Sequence, residues 1–155
     1  MPDEMEEYFR KAQTTVYRLL KFRMRSEKEL RDKLEQKKLP GAIIQQVIGH
    51  FKSLKLVDDR LFARQWISSR LKKPFGPNRI RLELKKKGID PETAEDAFKE
   101  IAGHYNEADV VNALAKYRAS KYNDTDPEKI RQRVYGYLLR RGFNMSTIMK
   151  AIKTL

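Results

Sequence analysis

Apolar residues recur along this chain at helical spacing, and no segment shows the period-two alternation of a half-buried strand. The clearest stretch is Gly76 to Phe98, GPNRIRLELKKKGIDPETAEDAF, where one glycine separates two helix signals. Pro77 stands at the first helical position, where its missing N–H costs nothing. Ile80 and Leu84 follow one turn apart, and Gly88 supplies the stop. Asp90 as N-cap and Pro91 then open a second helix with Ala94, Ala97, Phe98 and Ile101 on one face. A shift of about 50 residues either way recovers the pattern. Leu30, Ile80 and Val134 align, as do Leu34, Leu84 and Leu138, then Leu39, Ile89 and Phe143, then Ile44, Ala94 and Ile148. The stop is Gly88 or Gly142 in two copies but Lys38 in the first, so Leu39-Pro40-Gly41 is expected to turn by different chemistry.

The remaining helices follow in order. Residues 3–22 begin with Asp3, Glu4, Glu6 and Glu7 and end with Lys21, Arg23 and Arg25, as a helix dipole favours, and carry Phe9, Ala12, Val16, Leu19 and Leu20. Ser26 with Glu29 forms a capping box for a helix reaching Lys38. A third helix, Gly41 to Lys55, presents Ile43, Ile44, Val47, Ile48, Phe51 and Leu54, with His50 beside that stripe. Asp58-Asp59 caps the helix of Leu61, Phe62, Ala63, Trp66 and Ile67. The third copy carries Val110, Val111, Leu114 and Tyr117, a turn at Tyr122 to Thr125, a helix capped by Asp126-Pro127, and a last helix from Asn144 through Ile148, Ala151 and Ile152. The expectation is an all-α chain of three tandem three-helix repeats, 1–57, 58–104 and 105–155, in an elongated, curved arrangement.

Composition sharpens this picture. With 40% of the residues apolar and 35% charged, one large core is disfavoured, whereas three small stacked cores need fewer buried residues at each point. No apolar run approaches the roughly 18 residues of a membrane span, and the acidic Met1 to Phe9 is unlike a signal peptide. With no cysteine there is no disulfide framework or thiolate metal site, and the chain reads as cytoplasmic.

The net charge is +13, spread over the three repeats as +5, +3 and +5. Within a repeat it is segregated. From Arg70 to Lys87 the cations Arg70, Lys72, Lys73, Arg79, Arg81, Lys85, Lys86 and Lys87 face Glu83 alone, and the acids Asp90, Glu92, Glu95, Asp96 and Glu100 fall in the next helix. Arg25, Arg31, Lys37 and Lys38 in the first repeat, and Arg131, Arg133, Arg140 and Arg141 in the third, complete a basic set suited to an extended polyanion. Arginine's planar fork serves phosphate or carboxylate equally.

Other candidate chemistry is thin. Asp58-Asp59 lacks a third ligand at helical spacing and reads as a cap, and His50 and His104 stand apart from any nucleophile constellation. No catalytic residue, metal or cofactor is expected. Trp66 with Phe62 reads as a core anchor rather than a base-stacking platform. Tyr135 and Tyr137 replace Arg81 and Glu83 of the second repeat, so at least one is expected to be exposed.

Several separate motifs, in order, carry a family likeness: Arg25-Ser26-Glu27-Lys28-Glu29-Leu30-Arg31-Asp32-Lys33-Leu34; Leu56-Val57-Asp58-Asp59 with Phe62-Ala63 and Trp66; Gly76 with Arg79-Ile80 and Leu84-Lys85-Lys86-Lys87-Gly88-Ile89; and Arg140-Arg141-Gly142-Phe143 with Ile148. Over nearly its whole length the chain resembles the RecX family. That resemblance implies a non-catalytic bacterial regulator that lies along the RecA–DNA filament, restrains RecA, and is built from tandem three-helix units. The expected partners are RecA, its filament and DNA phosphates, with no membrane and a monomeric state. The alternative is a stand-alone DNA-binding protein using the same basic face.

Overall fold

A computed structural model describes residues 3–123 and 126–155. Among them are nine α-helices and one 3-10 turn, and no strand: α1 Glu4–Phe22, α2 Glu27–Gln36, α3 Gly41–Ser53, α4 Asp59–Leu71, α5 Pro77–Lys86, α6 Pro91–Ile101 with the turn Ala102–His104, α7 Glu107–Lys121, α8 Pro127–Arg140 and α9 Met145–Ile152. Part of the turn expected at Tyr122 to Thr125, namely Asp124 and Thr125, lies outside the described residues. No helix among the described residues is long and apolar enough to cross a membrane.

The helices sort into three units, each with its own core. Leu30, Ile80 and Val134 are fully buried in the three cores, as are Leu34, Leu84 and Leu138, and Leu39, Ile89 and Phe143 occupy equivalent buried places behind them. Every substantial helix–helix packing joins helices of one unit. The accessible surface is accordingly large, 10240 Å² against about 8,100 Å² for a compact monomer of this size, as a row of separate cores requires.

What joins the units is a repeated end-to-end contact between their middle helices. The Gly76 amide donates to the Arg141 carbonyl (2.7 Å) and the Asn78 amide to the Gly142 carbonyl (3.0 Å), so orphan donors at the start of α5 meet orphan acceptors at the end of α8. One unit earlier, Ser26 Oγ donates to the Lys87 carbonyl (2.7 Å) while accepting from the Glu29 amide, and the Asp59 carboxylate accepts from the Glu27 amide (2.9 Å). The middle helices therefore run head to tail in the order α8, α5, α2, with their dipoles aligned.

Glycine is required at both contacts for two reasons. Gly88 and Gly142 adopt φ of +78° and +90°, which closes the turn after the helix. A Cβ on Gly88 would also lie 2.5 Å from Lys28 Cβ, and one on Gly142 would overlap the Arg79 Cβ and backbone nitrogen. Lys38 corrects the expectation of different turn chemistry. It takes φ of +60° itself, with its amide on the Glu35 carbonyl and the Leu39 amide on the Leu34 carbonyl, the same pairing made by Gly88-Ile89 and Gly142-Phe143. Lys38 is exposed, so only the dihedral constrains it and a lysine is tolerated.

Other local expectations change in detail. Asp90 occupies the N-cap of α6, but its side chain makes no capping bond. Asp58 does cap α4, accepting from the Arg60 and Leu61 amides (3.0 and 3.2 Å). Tyr117 and Leu54 are 59% and 47% exposed rather than buried, because α7 turns Val111 and Ala115 inward and Leu54 lies beyond the last turn of α3.

Three variants test the turns and the joints. Lys38→Gly should stabilise the chain by about 0.5–1 kcal/mol by relieving the left-handed lysine, whereas Gly142→Ala should destabilise it by about 2 kcal/mol or more, since strain and overlap add there; urea melts of the two variants decide. Glu29 is pushed up by burial, but hydrogen bonds from the Arg23 side chain and the Ser26 amide, with the charges of Arg23 and Lys87, outweigh this and hold it below its ordinary 4.5. A depressed folded pKa means stability present above pH 4.5 and lost as pH falls through the folded value. Glu29→Gln should therefore be destabilising at neutral pH, with the gap to the native chain closing in melts run well below pH 4.5.

Candidate functional site

The outward face of each middle helix follows from its core pair. On α5, with Ile80 and Leu84 inside, a step of about 100° per residue turns Asn78, Arg79, Leu82, Lys85 and Lys86 to solvent, and all five are exposed. On α8, with Val134 and Leu138 inside, the exposed outward residues include Lys129, Gln132, Arg133 and Arg140, with Gly136 between them. The corresponding places on α2 are held by Lys28, Glu29, Asp32, Glu35 and Gln36, and Lys28 is paired with Asp32 (2.7 Å). The cationic strip on the outward faces of the middle helices thus belongs to the second and third units, and α2 does not extend it.

Carboxylates divide the sequence-predicted set further. Arg25 lies 3.8 Å from Glu29 and reaches the Leu19 carbonyl, Arg31 pairs with Glu27 (3.2 Å), and Lys87 joins Arg23 on Glu29. Arg70 donates twice to Glu83 Oε1 (3.1 and 2.8 Å), and Arg79 approaches the same carboxylate (3.6 Å). Arg81 turns aside to Glu95 (2.7 Å), and Arg131 to Glu128 (3.6 Å) and the Leu155 carbonyl. Among the described residues, Lys37, Lys38, Lys72, Lys73, Lys85, Lys86, Arg133, Arg140 and Arg141 make no ion pair. Lys37 and Lys38 sit at the far end of α2, and Lys72 and Lys73 on the loop before α5.

Along the side of the strip, cations and aromatic rings alternate. Lys87 Nζ and the Arg70 guanidinium lie 5.3 and 5.8 Å from the centre of the Trp66 ring. Arg70, Arg79 and Arg141, from three different segments, converge on Phe75 at 3.9, 4.5 and 4.9 Å. Arg141 and Arg118 then flank Tyr137 at 5.2 and 4.1 Å, and Arg118 and Arg133 approach Tyr122 at 5.6 and 5.4 Å. A ring holds a guanidinium in place without cancelling its charge, which applies here to Arg118, Arg133 and Arg141, since Arg70 and Arg79 also meet Glu83. Both Tyr135 and Tyr137 are half-buried, and neither is the freely exposed ring expected from the repeat.

Two cations in this arrangement escaped sequence reading. Lys129 opens the outward face of α8, two residues after its first proline. Arg118 lies on the first helix of its unit, with its Nε buried and without a hydrogen-bond partner. Arg70 stands three residues after buried Ile67 and Arg118 three after buried Ala115, so extending the repeat alignment to the first helices would have found it. Among the described residues no group of three or more His, Asp or Glu side chains is placed to hold a metal.

Family models match all three units: one described as RecX, first three-helix domain, over residues 12–51, one as RecX, second three-helix domain, over 58–97, and one as RecX, third three-helix domain, over 106–152. The Regulatory protein RecX of Prosthecochloris aestuarii is 33% identical over 147 residues, covering 94% of this chain and 94% of that protein. The chain belongs to the RecX family. The Regulatory protein RecX of Oceanobacillus iheyensis is 31% identical over 98% of this chain, which spans only 56% of that relative. The crystal structure of RecX from Lactobacillus salivarius superposes with a TM-score of 0.81 at 25% identity, covering 96% of this chain and 97% of that one. The first RecX match starts at Ala12, so the acidic beginning of α1 lies outside it.

Trp66 occupies the second RecX unit half-buried, stacked on Phe62 with centroids 5.7 Å apart and planes 15° apart, and approached by Arg70 and Lys87. It is neither a fully buried anchor nor a free platform. Trp66→Ala should cost about 2 kcal/mol rather than the 3–5 of a fully enclosed ring. Thermal unfolding followed by circular dichroism checks this; an unchanged midpoint rejects the packing role.

Proposed function

We propose that this RecX protein restrains RecA in the cytoplasm, binding as a monomer along the RecA–DNA filament through the basic face of its second and third units and limiting ATPase, strand exchange and co-protease function without catalysis of its own. The observation that carries this reading is the set of Arg79, Lys85, Lys86, Lys129, Arg133 and Arg140, all exposed on the outward faces of two middle helices joined end to end. Helices of 10 and 14 residues placed this way display charge over about 35 Å, the scale of a filament groove rather than of a small ligand. Such a strip attracts a polyanion at long range. Arg118 and Arg141, held on aromatic rings behind it without a carboxylate partner among the described residues, raise the local potential further. In this scheme the segments 1–57, 58–104 and 105–155 act as one elongated body, the first unit supplying reach rather than phosphate contacts.

Six phosphate contacts would make log affinity for DNA fall with log salt at a slope of about −5. Arg79, Lys86, Arg133 and Arg140 changed together to glutamate should abolish inhibition of RecA ATPase on single-stranded DNA and flatten that slope. Lys28 and Lys33 changed to glutamate on α2 should leave both nearly as they were. Equal inhibition by the native chain and the four-site variant would falsify the assignment of the face.

A further inference from the structure

The residue on α5 that points most directly away from its core is an apolar one. Leu82 is 61% exposed, surrounded by Arg79, Lys85 and Lys86. It borders the cleft where the second and third units meet, and Leu139, 42% exposed at the end of α8, lines the same cleft. Phe143 and the Gly142 backbone lie behind them, and Arg79, Lys86 and Arg140 form the rim. Neither leucine belongs to a core, and the repeat does not ask for one at the centre of the strip: Asp32 and Gly136 hold the places equivalent to Leu82. The carboxylate within the cleft, Glu83, is already engaged by Arg70 and Arg79, so it leaves the rim cationic.

A phosphate backbone gains nothing from leucine, whereas a protein segment does, since burying apolar area is what rewards such a side chain. The charge of the rim selects the rest of the partner, because a basic segment would be repelled and an acidic one drawn in. The geometry points to the cleft between the second and third units as a docking site for an acidic amphipathic segment of the recombinase itself, its apolar side chain seated between Leu82 and Leu139 and its carboxylates on Arg79, Lys86 and Arg140. This rests on the filament-binding function proposed above and adds to it a division of labour. On the filament the leucines and the rim cations read protein and the outlying Lys129 and Arg133 read phosphate; on bare DNA, with no acidic segment in the cleft, the rim cations contact phosphate as well.

The test is the double variant Leu82→Gln/Leu139→Gln, which alters exposed positions and should melt with the native chain. Two quantities are compared: potency against RecA ATPase on poly(dT), and affinity for a fluorescently labelled oligonucleotide across a salt series without RecA. The expected result is a loss of potency of about tenfold with oligonucleotide affinity and salt slope unchanged. Unchanged potency overturns the docking site while leaving the filament function standing. A parallel loss of potency and oligonucleotide affinity also overturns it, since the cleft would then hold nucleic acid. If the native chain itself has no effect on RecA, the proposed function and the docking site fall together.

Discussion

The closure of one middle helix by the next governs this molecule. A helix ends with unpaired carbonyls and begins with unpaired amides, and both need partners when they leave water. Here the end of α8 supplies acceptors to the start of α5, and the end of α5 supplies one to Ser26 before α2. Because each unit keeps its core almost to itself, with Met24 of the first unit packing on the core of the second, these joints set how the units are oriented. The left-handed glycine that ends a helix is also the only residue thin enough to let the next helix start against it, so turn and joint are specified by one position. Lys38 marks the limit of that rule: where the turn is exposed, the dihedral survives without glycine.

The two joints share backbone logic but differ in their electrostatics. The first is centred on carboxylates, with Glu29 gathering Arg23, Arg25 and Lys87, and Asp59 accepting from the Glu27 amide. Burial raises the Asp59 pKa, and the Glu27 amide only partly offsets this. The second is centred on a ring, with three guanidiniums against Phe75, of which Arg70 and Arg79 share the single carboxylate of Glu83 and Arg141 has no ion pair among the described residues. A carboxylate cancels the charge of the cations it holds, whereas a ring fixes them and leaves their field intact. The difference polarises the field of a chain whose charge is nearly even along its length: at the first joint Glu29 gathers three cations, whereas at the second Arg70 and Arg79 share one carboxylate and Arg141 keeps its charge.

Much of this was legible in the residues. The alignment of Leu30, Ile80 and Val134, the capping box at Ser26 and the proline starts of α5 and α8 are local signals, and tertiary context left them unchanged. Tyr117 and Leu54 misled because an apolar residue near a helix end satisfies the period without reaching the core, and buried Ala115 is too small to announce itself. The basic face was only half legible. Sequence counts charges but does not say which cation meets which carboxylate when the pairing crosses elements, as Lys87 with Glu29 or Arg81 with Glu95 does. Arg118 was hidden for the same reason, since its partners Tyr137 and Tyr122 lie on and before another helix.

The joints also decide what a ligand can do to the molecule. With separate cores, relative motion of the units costs only what each joint contributes: a few hydrogen bonds, one glycine contact and the side chains around it. A partner that touches one unit alone leaves this motion untouched. One that touches α5 and α8 together binds only while the second joint is closed, and so stabilises that joint by its own binding free energy. The closed joint in turn presents both helices in register before any partner arrives, which reduces the ordering cost of association. Because the outward cationic strip falls on α5 and α8, while the outward Lys28 of α2 is paired with Asp32, this mutual stiffening is confined to the second joint. The first, tied by ion pairs that salt and acid weaken, retains its own response to conditions.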